Sequence, residues 1–437
     1  MAVLDNRFSR ELSDKWRILT VAFFCLLFAF SAPAFMMPFL YPEVIREFGW
    51  TREQAVVLVS YKYITGSVVA IVVGSFIDAI GVRRVLIFVT ALSGLAMLSF
   101  LWTPNLPVYY ATGIVLGFSG AGTMVSIKVL ISRTFHASQG TAMGVAMLGT
   151  GVGSILVPIA ATVLIATWGW RAGIAILSVG VWFIALPLMI FYLTERSFAG
   201  SGEDDEHAAA TCDWRIGRRL ATQKRFWLIC FAVFSAGFVD QSLVQHQVLY
   251  FQEDLGIDRI YVAAIVSGIG VIAIITRPLV GGLFDGLSNK GVSLSYVVLA
   301  LSCLLALGVL NPYLLAMFVV FRALGHSAVL LDTLVLAKHS FGLKNIGILL
   351  GIFTAAVNLG FATGPPVIAR LYTMTGSYVL PFAVCAVLGC VAALTIVDAL
   401  INYALAARGI AHSPFTAGSS GTSGIFRVAG AAGKQKG

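Results

Sequence analysis

The sequence predicts an all-α membrane protein with twelve transmembrane helices in two pseudo-symmetric six-helix bundles. Three observations lead there. Of 437 residues, 59% are hydrophobic and only 11% are Asp, Glu, Lys or Arg, too little charge to cover a soluble protein of this size. Apolar stretches long enough to span a bilayer, roughly 20 residues each, recur twelve times. The basic residues between those stretches fall mainly on alternate connections.

The predicted spans are 18–42, 54–80, 85–102, 108–132, 141–166 and 172–193, then 226–251, 259–284, 291–310, 312–337, 346–370 and 378–405. A tail, 1–17, precedes the first bundle at 18–193; a hydrophilic loop, 194–225, leads to the second at 226–405; a tail, 406–437, follows. Span 1 is preceded by Arg7, Arg10, Lys15 and Arg17 and runs on without a small-residue cleavage site, so it reads as a retained helix. Of 29 Lys and Arg, 20 fall on the side of the tails and the central loop, and four lie within spans. Only Arg46, Arg52, Arg171, Arg259 and Arg370 fall opposite. The positive-inside rule therefore puts both termini in the cytoplasm of a cell whose inner membrane holds the chain. The net charge of +9 is accounted for by topology, and nucleic-acid binding is excluded. The central loop begins flexible and acidic, and its Trp214–Leu220 stretch reads as a short basic helix against an anionic leaflet. The final tail is rich in Gly, Ser and Ala and predicts disorder.

The two halves echo one another. Span 2 ends Gly74-Ser-Phe-Ile-Asp78-Ala-Ile-Gly81-Val-Arg83-Arg84, and span 8 ends Gly281-Gly-Leu-Phe-Asp285 before Lys290. Span 5 carries Gly144, Gly149, Gly151, Gly153 and Pro158; span 11 carries Gly351, Gly360, Gly364, Pro365 and Pro366. Glycine at such spacings lets helix backbones meet, and proline loosens the hydrogen-bond ladder. Repeated halves with a site between them are a transporter design.

On these residues the chain resembles the major facilitator superfamily over about 15–405. Gly74, Asp78, Gly81, Arg83 and Arg84 match its span 2–3 signature, with Ala79 where a base usually follows the Asp. Within it the chain looks most like the monocarboxylate porter and oxalate/formate antiporter branch. The fragments are Phe48-Gly-Trp-Thr-Arg52, Gly169-Trp-Arg171, Thr276-Arg277-Pro278, Gly364-Pro-Pro366 and Gly376-Ser-Tyr378. The resemblance implies that the Arg before Pro in span 8 binds a substrate carboxylate and that spans 1, 4, 7 and 10 line the cavity. This chain departs from animal members of that branch at Ala273, where they place an acid, and in a first span without lysine.

Charge inside a bilayer is expensive, so each intramembrane ionisable group is a functional candidate. The bases are Lys62, Lys128, Arg277 and Arg322; the acids are Asp240 and Asp332; His246 and His326 join them. The surplus of bases predicts an anionic substrate. Arg277 leads, because a guanidinium keeps its proton and its planar fork matches a carboxylate; the bland reading has it snorkel or pair with Asp285. Arg322, Lys128 and Lys62 are further anion contacts, Lys62 steering near the outer end of span 2. Phe35, with Met36 and Met37 between Pro33 and Pro38, offers an apolar wall.

Span 7 reads Asp240-Gln-Ser-Leu-Val-Gln-His246-Gln-Val-Leu-Tyr250. Its polar residues predict a face against water, with Asp240 and His246 as proton carriers and structural pairing as the alternative. By the family's register Gln245 replaces His246 at the cavity if the count to Asp254 is off by one. Gly74, Asp78, Arg83, Arg84 and Asp285 form an expected cytoplasmic latch between the halves. No catalytic constellation, metal-ligand spacing, cofactor motif or phosphate-binding Gly-x-x-x-x-Gly-Lys is present, so an enzyme is not expected. The expected function is secondary transport of a small organic anion with protons, by a monomer in the bilayer. Efflux of a hydrophobic compound and a non-transporting sensor or scaffold are the alternatives.

Overall fold

The computed structural model describes residues 15–135, 139–193, 222–341 and 346–407, without the side chains of 139–141, 285, 346–348 and 398–407. Most of both tails and of the central loop thus lies outside the described residues. Among these residues every regular element is helical.

In chain order the helices are α1 (Lys15–Phe48), α2 (Arg52–Ile80), α3 (Val82–Trp102), α4 (Leu106–Thr134), α5 (139–168), α6 (170–192), α7 (Lys224–Asp254), α8 (Arg259–Leu287), α9 (Asn289–Ala306), α10 (Pro312–Val329), α11 (Ile346–Thr375) and α12 (Val379–Ala407). The helical run through α5 and α6 is broken only at Gly169, whose φ of 76° and ψ of 162° lie outside the helical region. Counting the break, the expected twelve crossings are present. The tenth differs from expectation: it stops at Val329 and resumes as a short helix, Asp332–Phe341. Turn residues 330–331 interrupt the ladder there, and the buried Asp332 begins the new helix.

The bundles repeat their pairings: α2 on α4 and α8 on α10, α1 on α5 and α7 on α11, α3 on α6 and α9 on α12. Across the halves α2 meets α11, α5 meets α8, and α1 meets α7. The glycine echo in the sequence has a physical cause here. A Cβ on Gly149 would land on the Phe23 carbonyl of α1, and one on Gly360 on the Phe234 carbonyl of α7. The same backbone-to-backbone approach is thereby built twice. Gly360→Ala should force α7 and α11 apart at a cost of about 1–3 kcal/mol, read as a lower melting temperature of the purified protein.

Proline contributes differently. It has no N–H, so the carbonyl four residues earlier loses its helical donor. Four residues before Pro33, the Ala29 carbonyl accepts the Ser93 hydroxyl of α3 at 2.7 Å. Pro366 frees the Ala362 carbonyl, which accepts Ser60 Oγ of α2 at 2.5 Å. The second of these bonds joins the two halves.

Candidate functional site

The end of the bundle away from Lys15 and Ala407 is sealed by charge, and we refer to it as the gate end. Arg52 Nη1 lies 2.6 Å from Asp254, Arg259 lies 2.7 Å from Glu43, Arg46 3.1 Å from Glu253, and Arg370 3.7 Å from Glu53. Arg171 pairs with Glu47 within the first half at 2.5 Å. All five bases on the minority side are therefore ion-paired, four of them across the halves. At the other end, a Cβ on Gly74, Gly144, Gly281 or Gly351 would meet nothing within 4 Å. The described residues seal one end and leave space at these glycines at the other.

A hydrogen-bonded chain runs inward from the gate. Tyr372 donates to Asp254 Oδ1 at 2.7 Å, its ring lying 3.9 Å from the Arg52 guanidinium carbon. Arg52 donates to Tyr378 Oη at 3.0 Å, and that hydroxyl lies 2.9 Å from His246 Nδ1. His246 Nε2 lies 2.8 Å from the Pro365 carbonyl. A carbonyl only accepts, so Nε2 carries the hydrogen and a neutral His246 accepts from Tyr378 at Nδ1. Both nitrogens are committed, and the ring is buried within the second half. Gln245 faces the first half, its Oε1 accepting from Tyr41 of α1 at 2.6 Å. Arg52→Gln removes one partner from Asp254 and one from Tyr378. It should weaken closure by about 1–2 kcal/mol, roughly tenfold in the closed-to-parted ratio. Loss of disulfide cross-linking between Arg46→Cys and Glu253→Cys would report it.

Deeper, Asp240 holds two partners. Arg322 Nη1 donates to its Oδ1 at 2.7 Å and Nη2 to its backbone carbonyl at 3.2 Å. His326 Nδ1 sits 3.1 Å from each carboxylate oxygen. Asp240 and Arg322 side chains are 1% and 2% exposed, His326 22%. The sequence assigned Arg322 to substrate and Asp240 to the proton; the fold closes them on each other. Nearby, Tyr296 donates to Asp332 Oδ2 at 2.6 Å, while Asp332 Oδ1 is buried without a partner.

Three intramembrane cations differ. Among the described residues, Arg277, Lys62 and Lys128 have no ion pair or hydrogen bond to an acid. Arg277 is partly buried in α8, and its Nε is enclosed without a hydrogen-bond partner. Three residues earlier on the same helix, Ile274 lies where a Cβ on Gly151 of α5 would touch it, so Arg277 follows the contact between halves by about one turn. Lys62 Nζ is 5.6 Å from the Tyr63 ring centre, and Tyr63 donates to Gln241 of α7 at 3.4 Å. Lys128 is exposed and Phe35 half-buried, while Met36 and Met37 are fully buried. Met36 and Met37 are thus core.

The expected latch is bonded within its own half. Asp78 pairs with Arg133 at 2.9 Å, and Arg83 donates to the Ile190 carbonyl at 3.2 Å. Gly74 is open, Arg84 is engaged, and the side chain of Asp285 lies outside the described residues. Sequence reasoning missed the Arg52–Tyr378–His246 chain, although Arg52 and Tyr378 both stood in the family fragments. It passed over His326 as a site residue, although the one-turn spacing to Arg322 was visible.

Comparison with known proteins adds the following. Residues 19–329 match the family model described as Major Facilitator Superfamily. The uncharacterized MFS-type transporter YcxA of Bacillus subtilis is 27% identical over 388 residues, 85% of this chain and 92% of that protein. The probable nitrate transporter NarT of Staphylococcus aureus is 25% identical over 387 residues, 86% of this chain and 94% of that protein. Among solved structures, an inward-facing bacterial homologue of the human lysosomal transporter Spinster aligns with a TM-score of 0.69 at 14% identity, over 92% of this chain and 98% of that one. The peptide transporter POT in complex with sulfate aligns with a TM-score of 0.65 at 14% identity, over 89% and 94%. Neither relative matches the monocarboxylate branch by name.

Proposed function

The chain belongs to the major facilitator superfamily, and from that premise we propose that this multi-pass membrane transporter carries a small anion with a planar, trigonal oxygen head. A carboxylate and nitrate share that geometry, and a guanidinium fork meets either with two parallel hydrogen bonds. The observation that supports this is Arg277: an obligate cation inside the bundle, one nitrogen enclosed without a partner, and no acid bonded to it among the described residues. A permanently unpaired cation in a low-dielectric interior is costly, and a bound anion removes that cost. Lys62 and Lys128 add positive potential of the same sign. The likeness to a probable nitrate transporter supports the inorganic arm; the half-buried Phe35 supports an anion with an apolar portion.

The tail end is cytoplasmic on the positive-inside bias, so the sealed gate faces outward and the protein rests open inward in an inner membrane. Transport then alternates by parting the four gate pairs while the opposite ends of α2, α5, α8 and α11 approach. Uptake into proteoliposomes of nitrate, and separately of labelled short aliphatic and aromatic monocarboxylates, tests the reading. Saturable uptake of either class that depends on Arg277 supports it. Uptake of neither, with extrusion of a hydrophobic cation dye, overturns it.

A further inference from the structure

Resting on the anion reading, we propose that His326 is the proton-binding residue of this transporter and that its protonation and anion binding at Arg277 favour each other.

The geometry fixes the chemistry. Asp240 is bonded to Arg322 at 2.7 Å and is held as a carboxylate, which only accepts hydrogen bonds. His326 Nδ1, 3.1 Å from both oxygens, must therefore carry a hydrogen. In the neutral ring that leaves Nε2 bare and basic. The ring is also the one member of the trio with substantial exposure, 22% against 1% and 2%. A proton arriving at Nε2 turns the ring into an imidazolium without breaking either bond to Asp240. His246 offers no such vacancy, since both its nitrogens are occupied.

Charge links this site to the substrate. With His326 neutral, Asp240 and Arg322 cancel. Protonation leaves the trio with one positive charge. Thr276 Oγ1 and Ser327 Oγ lie 3.1 Å apart, and Ser327 Oγ also bonds the Ala273 carbonyl at 3.4 Å. These contacts join α8 and α10 at the residues next in chain to Arg277 and His326. An anion at Arg277 is thus stabilised by the new charge, and the anion in turn stabilises the imidazolium. One proton and one monovalent anion would travel together, with no net charge moved. The charged and titratable groups on the elements packed against α10 at this level are Asp240 on α7, Arg277 on α8, Tyr296 on α9, and Asp332 on the helix continuing α10; Tyr63 of α2 faces Asp240 from the other half. Asp332 accepts from Tyr296 at Oδ2, and its Oδ1 is buried without a hydrogen-bond partner.

Two measurements on the purified full-length chain test this. The chain has six histidines; in histidine-selective ¹³C NMR the resonance lost in His326→Gln identifies His326, and its shift should report proton uptake at Nε2 as the pH is lowered. Nitrate and acetate binding, followed by thermal shift, should tighten on acidification by up to about tenfold per pH unit. His326→Gln and His326→Asn, neutral donors that still reach toward Asp240, should flatten that dependence, while the exposed His339→Gln keeps it. A His326 resonance that stays fixed, or variants that keep the wild-type pH dependence, would overturn the proposal. If neither anion binds at any pH, the anion reading falls by itself, and the NMR titration still decides whether His326 takes a proton.

Discussion

Arg277→Lys should lower the rate of anion uptake at subsaturating concentration by roughly 30- to 150-fold, about 2–3 kcal/mol. The charge is retained, so a purely electrostatic role predicts almost no change. What disappears is the planar fork: an ammonium is a compact, strongly hydrated point charge that offers no parallel pair of donors to a trigonal oxyanion. Arg277→Gln should be worse, since charge and fork both go. Neither change removes a bond to an acid among the described residues, so the melting temperature should stay near wild type or rise, because an enclosed and unpartnered nitrogen is eliminated. Proteoliposome uptake alongside thermal unfolding separates the two effects. Wild-type uptake with lysine would sink the fork.

The opposite pattern is expected one helix away. Asp240→Asn should destabilise the protein by about 3–5 kcal/mol, because Arg322 is then a buried cation without its counter-charge. Arg322 is 2% exposed and its partner 1%, so water cannot make up the loss. Arg322→Met should cost a similar amount by stranding the carboxylate. The double variant, Asp240→Leu with Arg322→Met, should recover most of the stability, since an apolar pair of similar volume replaces a desolvated ion pair. Unfolding in detergent, read as a double-mutant cycle, measures the coupling. The double variant should nevertheless lose the pH response of anion binding, because His326 no longer has a carboxylate to hold Nδ1 and point Nε2 outward. Stability and proton response therefore part company in that one protein. Near-additive single effects would show that the ion pair is not a coupled unit.

The architecture was legible because a bilayer imposes it on composition. Spanning length, the basic bias and the paired Gly-x-x-x-Asp endings were enough to give two halves. The break after Val329 was not visible, since 312–337 reads as one apolar run and Asp332 looks like a polar residue within it; only the fold shows it starting a new helix. Arg277 could be picked out because an unpaired charge in an apolar run is conspicuous in one dimension. Arg322 and Asp240 looked equally conspicuous, yet they are 82 positions apart in the chain, and nothing in a single sequence says that two such charges meet. His246 and Gln245 turned on one residue of register, which is 100° of helix rotation and beyond what a motif of short fragments fixes. Of the fragments that carried the family resemblance, only Thr276-Arg277-Pro278 was read for substrate, and three of the others serve the gate. Gly49 ends α1 with a φ of 68°, Thr51 caps α2, Arg52 and Tyr378 pass a hydrogen bond inward, and Trp170 and Arg171 both hold Glu47.

The Ser60 bond to Ala362 has a consequence for how easily the protein cycles. A hydroxyl that fastens onto a carbonyl already saturated by its own helix competes with that helix, and letting go leaves the backbone unchanged. Here Pro366 has removed the competitor beforehand, so the fastening is made at full strength. When it lets go, Ser60 can turn to its own helix, as Ser67 does toward the Tyr63 carbonyl, and the vacated oxygen meets water entering the widening cleft. No rung of α11 has to break for the halves to separate. One imino acid thereby supplies a clasp that holds firmly when shut and costs little to undo, which suits a carrier that must open at the same seam on every turnover.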